Sequence, residues 1–346
     1  MSSVPIKNVY NMLVYVFEIL KSKEYERLGR EDCEEVYDLL ASLLLCGTQV
    51  LIKRGFLKNY ANEIEELTAI RGRIDIGSSI RRLSFQNAKA VCNFDEFSGN
   101  ILFNQVLKAT FLQLIQKPLQ KRIKRDVSRL LLYFNEIGTI NISAIKWDTF
   151  VFNRNNAHYD TLLYFCRLIC EDEIANQNKG NKNFRTIEDK LLPSLFEKFI
   201  FAFYKKHLSL SVSYQTQIKW KTENSEMLPK MNADTIISSN DAKLIIDTKF
   251  YSKTLQSNRF SDNQTVISNN LYQIFAYVKN EASWIPEKTV SGMLLYPQID
   301  EPLRRTYTID GNSFFVQTVN LDQNFSAIKQ ELFDIYSLVE KSRIPR

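Results

Sequence analysis

Apolar residues recur at helical spacing in two early stretches, "VPIKNVYNMLVYVFEIL" (4–20) and "DLLASLLLCGTQVLI" (38–52). Both predict buried helices. The texture then changes. "LTAIRGRIDIGSSIRRL" (67–83) carries short β-branched runs around Gly72 and Gly77 and predicts strands and turns. Helical spacing returns at 98–116, with Ser98 or Asn100 as N-cap, and again at 121–137 and 157–174. The polar, Asn-rich stretch at 171–187 predicts a boundary between a domain of residues 1–175 and one of residues 185–346.

Beyond the boundary the pattern is mixed. "EDKLLPSLFEKFIFAFYKKHL" (188–208) is amphipathic, and "SVSYQTQIKWK" (211–221) alternates like a strand. Two β-rich runs flank "SSND" and predict a hairpin. Then come a helix (268–280), a buried strand (290–298), strands around Asp310-Gly311 and a closing helix (325–342). The order predicts a mixed α/β fold: a helix-rich N-terminal domain with a β insertion, then an α/β domain.

The hairpin carries the candidate chemistry. With Asn240-Asp241 as a two-residue loop, Asp234 falls opposite Asp247, and strand alternation puts Lys249 on the same face. Two facing carboxylates repel, and a hard divalent cation such as Mg²⁺ would relieve the repulsion. The decoys Asp241-Ala242-Lys243 and Glu188-Asp189-Lys190 have the same spacing but follow no buried strand.

Composition narrows the rest. The 346 residues are enough for two cores, and the net charge of +6 permits an anionic partner without demanding one. Five scattered cysteines and two histidines argue against structural zinc and for reduced thiols. With no leader and no apolar run of membrane-spanning length in the pattern, a cytoplasmic location is expected. No GxxxxGK[ST] loop surrounds any glycine, so nucleotide hydrolysis of the P-loop type is not expected of this chain.

The order of elements and "ADTIISSNDAKLIIDTKFY" resemble the catalytic hairpin of PD-(D/E)xK nucleases. The segments "VPIKNVYNMLVYV", "RGRIDIGSSI", "FDEFSGNILFNQVLK", "LFEKFIFAF", "LIIDTKFY", "NLYQIFAYV" and "GMLLYPQID" follow one another as in the McrC family, the endonuclease subunits of McrBC-type restriction systems. The resemblance spans nearly the whole chain. It implies a restriction-endonuclease-like domain at 185–346 and an N-terminal domain that docks on an McrB-like AAA+ GTPase hexamer. It further implies Mg²⁺-dependent cleavage of double-stranded, methylated DNA on GTP-driven translocation. Asp234, Asp247 and the Thr248 carbonyl would hold the metal, with Lys249 handling water or charge. Glu197 matches the helical acid that family members vary, and Gln273 with Tyr277 matches a QxxxY pair. Lys7, Asn8, Tyr10, Arg71, Arg73 and Asp75 lie in resembling motifs and are candidates for partner contact. The alternatives are a silent nuclease-fold adaptor that activates the GTPase, and a DNA-binding scaffold.

Overall fold

A computed structural model describes residues 4–17, 20, 25, 33, 35–178, 187–250, 255–258, 261–299 and 301–342. The chain forms two compact units: Met1–Ser22 with Glu188–Arg346, and Lys23–Ile187. This differs from a division into 1–175 and 185–346 at the first helix, α1 (Ile6–Val16). Asn8 of α1 is 4% exposed, and its amide donates to the carbonyls of Leu321 (2.9 Å) and Gln323 (2.8 Å). Tyr15 packs edge-on against Phe199 and beside Phe325. Periodicity reveals a helix but not which distant surface it covers. Asn8 and Tyr10, expected as partner contacts, are buried inside this unit instead. Residues 179–186 of the expected linker lie outside the described residues.

The unit Lys23–Ile187 is helix-rich with a small sheet. α2 (Val36–Arg54) is buried on nearly every side. It is long and apolar enough to cross a membrane, which the sequence reading missed, but 67% of its apolar window is buried in the protein. β1 (Asn59–Leu67), β2 (Arg73–Ile74) and β3 (Ala90–Ser98) form an antiparallel sheet in the order β1-β3-β2. Between β2 and β3, where strands and turns were expected, runs a short helix, α3 (Ile76–Arg81). Asp75 starts it, its carboxylate accepting from Ser78 N (2.9 Å) and Ser78 Oγ (2.7 Å). A cap explains Asp75 without a partner. α4 (Leu102–Gln116), α5 (Lys121–Leu131) and α6 (Ala157–Asn178) complete the unit. Neither Ser98 nor Asn100 caps α4. Ser98 Oγ accepts from Asn100 N, and Asn100 Oδ1 accepts from Gly138 N.

In the other unit α7 (Ile187–His207) leads into β4 (Ser211–Ile218), β5 (Met231–Ser238) and β6 (Ala242–Thr248). A separate hairpin, β7 (Leu255–Asn258) and β8 (Ser261–Val266), follows; its polar sequence gave no strand signal. Then come α8 (Ser268–Trp284), β9 (Thr289–Pro297), β10 (Arg304–Ile309), β11 (Asn312–Val319) and α9 (Phe325–Ser342). The main sheet has six strands in the order β10-β11-β9-β6-β5-β4. β9 runs parallel to both β6 and β11, and the other pairs are antiparallel. The fold is mixed α/β, as expected.

β6 and β9 are buried almost residue by residue, which requires cover on both faces of the sheet. On one face α8 inserts Ile274, Tyr277 and Val278 among Ile245, Leu294 and Phe314. Gly292 lets it approach: a Cβ there would lie 2.8 Å from both Ile274 Cγ1 and Val278 Cγ2. α7 and α9 meet through Phe203 against Phe333 and through the Tyr204 hydroxyl, which donates to Leu332 O (3.1 Å).

A carboxylate and lysine cluster at the candidate active site

The β5–β6 register is the one a two-residue loop dictates. Ser238 stands opposite Lys243 and Thr235 opposite Ile246. Ser239 N donates to Ala242 O (2.8 Å), closing the turn. One step beyond Thr235 and Ile246, Asp234 and Asp247 come together at the far end of the hairpin from its loop.

Asp247 is 1% exposed. Its Oδ2 lies 2.9 Å from the Lys249 ammonium, and its Oδ1 accepts from Gln273 Nε2 at 3.3 Å. The same Gln273 nitrogen donates to the Tyr277 hydroxyl (2.8 Å), so the QxxxY pair of α8 acts on the cluster through one hydrogen-bonded chain. Asp234 Oδ2 accepts from both Thr248 N and Thr248 Oγ1, each at 2.8 Å. Thr248 therefore enters as the clamp on Asp234. Lys249 lies just past the end of β6, yet its amide still donates to Leu295 O (3.0 Å) of β9.

Glu197 reaches the cluster from α7 through an intermediary that the sequence reading missed. The Gln215 side-chain nitrogen donates to Glu197 Oε1 and makes a long hydrogen bond, 3.4 Å, to Asp234 Oδ1. In the sequence Gln215 is one more polar position on an alternating strand, with no signal to separate it from Gln217.

The electrostatics follow from crowding. Burial pushes the Asp234 carboxyl up to about 6, reinforced by the charges of Asp247 and Glu197 and opposed by the Thr248 hydrogen bonds. Burial also raises Asp247, with the Lys249 ammonium pulling the other way. Three carboxylates, Asp234, Asp247 and Glu197, thus crowd together, and the Lys249 ammonium pairs with Asp247.

Among the described residues no group of three or more His, Cys, Asp or Glu side chains forms a cage for an ion. Mg²⁺ does not need one: it is typically held by one or two carboxylates and keeps several waters for substrate oxygens to replace. Two acids raised by burial and by neighbouring carboxylates fit such an ion in donor type and charge.

Residues 7–297 match the family described as McrBC 5-methylcytosine restriction system component. The chain belongs to this family. Among McrBC relatives, the type IV methyl-directed restriction enzyme EcoKMcrBC of Escherichia coli (strain K12) is 29% identical over 343 residues, 96% of this chain and 97% of that protein. The fold resembles a chain of the refined half-complex from the tetradecameric assembly of Thermococcus gammatolerans McrB AAA+ hexamers with bound McrC. The TM-score is 0.54 at 15% identity, covering 96% of this chain and 76% of that one. A cryo-EM structure of the Thermococcus gammatolerans McrBC complex aligns over 60% of each chain at 18% identity and a TM-score of 0.42. This chain is thus an McrBC restriction-system component with an McrC-like fold.

Proposed function

We propose that this chain is the Mg²⁺-dependent endonuclease subunit of a modification-dependent restriction system. It binds and stimulates an McrB-like AAA+ GTPase hexamer in the cytoplasm and cleaves double-stranded methylated DNA as the hexamer translocates it. The observation that carries the reading is the Asp234–Asp247–Lys249 cluster, half-buried around a fully buried Asp247 and built on a PD-(D/E)xK-type hairpin whose register sets the acids side by side. The McrB partner and the methylated substrate are inferred from the family and from the relatives' assemblies.

Hydrolysis of a phosphodiester requires an attacking water, neutralised charge in the transition state and a stabilised leaving oxygen. A Mg²⁺ ion, when bound, supplies positive charge to the phosphate and acidifies a water. Asp234 and Asp247 would hold it, with the Thr248 carbonyl as a third protein ligand. The Thr248 amide and hydroxyl fix Asp234 for that work. Lys249, paired with Asp247 in the resting protein, would turn its ammonium to the phosphate or, having first given up its own proton to solvent, would take one from the water as a neutral amine. Gln273 holds Asp247 in orientation, backed by Tyr277.

The test is a cleavage assay with methylated and unmodified DNA, with and without an McrB-like GTPase, GTP and Mg²⁺. Cutting is expected only of methylated DNA and only when all three are present. Stimulated GTP turnover with no cutting under any condition would sink the nuclease assignment and leave the adaptor reading. DNA binding that survives loss of both aspartates and needs no metal would favour the scaffold.

A further inference from the structure

Gln215 sits on the edge strand β4, yet its backbone departs from strand geometry. Its φ is +46°, in the left-handed region that side chains other than glycine seldom enter. Tyr214 stands opposite Thr235 and Thr216 opposite Ala233, so the register is the same on both sides and no inserted residue forces the kink. The intervening step, Gln215 against Asp234, drops out of the ladder. Left-handed backbone at a residue with a Cβ is strained and persists only where its surroundings over-determine it. Here it aims one amide nitrogen at two carboxylates, Glu197 and Asp234, which come from different elements.

We infer that Gln215 is a positioning residue that holds the Glu197 carboxylate beside Asp234 and so preorganises the cluster for a divalent cation; this rests on the nuclease reading above. Without a donor between them the two carboxylates repel, and Glu197, on a flexible stem, turns toward water. Cation binding would then bear the cost of ordering it. The choice of an amide follows from the same electrostatics. A lysine or arginine in this place would bridge the acids equally well, but its charge would cancel the field that attracts the cation. Glutamine bridges them and leaves that field intact.

The test uses the full chain and Mg²⁺ alone, titrated calorimetrically at pH 7.5, with Gln215→Gly and Gln215→Asn. Both replacements tolerate left-handed backbone, and neither amide nor hydrogen can reach across to Glu197. Each is expected to weaken Mg²⁺ binding about ten-fold. The melting temperature of the cation-free protein should hold or rise by about 2–4 °C as strain is released. In a Glu197→Gln background, Gln215→Gly should weaken binding no further, because its effect runs through Glu197. Unchanged affinity in both variants overturns the inference, as do effects that multiply in the double variant. A fall in cation-free melting temperature in both variants would make the role structural and overturns it as well. If the wild-type chain gives no Mg²⁺ binding, or Asp247→Asn binds it undiminished, the metal site itself is wrong and the inference falls with it. Wild-type binding that Asp247→Asn abolishes but Gln215→Gly leaves untouched overturns the inference alone.

Discussion

Replacing Asp234 with asparagine should make the metal-free protein more stable. In the folded chain its carboxyl is pushed from 3.8 up to about 6. Below about pH 4 it is protonated folded or unfolded and costs nothing. As the pH climbs from there to 6, the folded chain retains a proton that the unfolded chain releases, so stability falls. Above 6 the charged group carries the full penalty, at most about 3 kcal/mol for a shift of roughly two pH units. Asparagine escapes the penalty but accepts weaker hydrogen bonds from Thr248, a loss of about 1 kcal/mol. The expected net gain at pH 7.5 is therefore about 1–2 kcal/mol, shrinking to nothing or a slight loss near pH 4. Denaturation in EDTA, followed by tryptophan fluorescence, checks this, since Trp220 and Trp284 both lie in the unit that holds the site. Adding Mg²⁺ should reverse the order, because ligand binding stabilises only the chain that can bind it. A metal-free Asp234→Asn chain less stable than wild type at pH 7.5, or a difference that ignores pH, would refute the reasoning.

Four further outcomes follow from the same geometry. Lys249→Ala should lower single-turnover cleavage at least about 100-fold while DNA affinity stays nearly constant, and Lys249→Arg should rescue little, since a guanidinium does not give up a proton near neutral pH. Mg²⁺ affinity should drop about ten-fold per pH unit below 6, as protons compete for Asp234; calorimetry at pH 5, 6 and 7 measures it. Gly292→Ala should cost about 1–3 kcal/mol in denaturant unfolding, since its methyl would crowd Ile274 and Val278 and push α8 off the sheet. A fragment of residues 23–187 should stimulate GTP turnover by an McrB-like partner without cutting DNA; stimulation seen only with the unit that holds the cluster would reverse that division of labour.

The hairpin was legible because its constraints are local. A two-residue loop fixes register, and a period of two then fixes which side chains share a face, so Asp234, Asp247 and Lys249 could be brought together from spacing alone. The extent of the closing helix was legible for the same reason. The membership of α1 was not: the amide of Asn8 bonds to carbonyls more than three hundred residues away, and no local pattern encodes that partner. α3 was hidden by Gly77, Ser78 and Ser79, which are weak helix formers, although Asp75 followed three residues later by Ser78 was a readable cap. Gln215 lay beyond any pattern, because neither its left-handed backbone nor its bonds to Glu197 and Asp234 leave a local mark in the sequence.

The site thus divides into a fixed half and an adjustable half. Asp247 and Lys249 sit at the end of β6, a central strand held on one side by β5 and on the other by β9, and the bond from Lys249 N to Leu295 O carries the ladder past the strand's last residue. Moving either side chain means moving a backbone buried on both faces of the sheet. Glu197 has no such anchor; a helix brings it near, and one amide on an edge strand sets where its carboxylate rests. Substitution of Lys249 should therefore act on the chemical step, substitution of Asp247 should remove the cation outright, and substitutions in the adjustable half should shift cation affinity by degrees. The strained residue sits in the half that must order itself, because there a few kilocalories of local strain can be exchanged for a carboxylate already in place when the cation arrives.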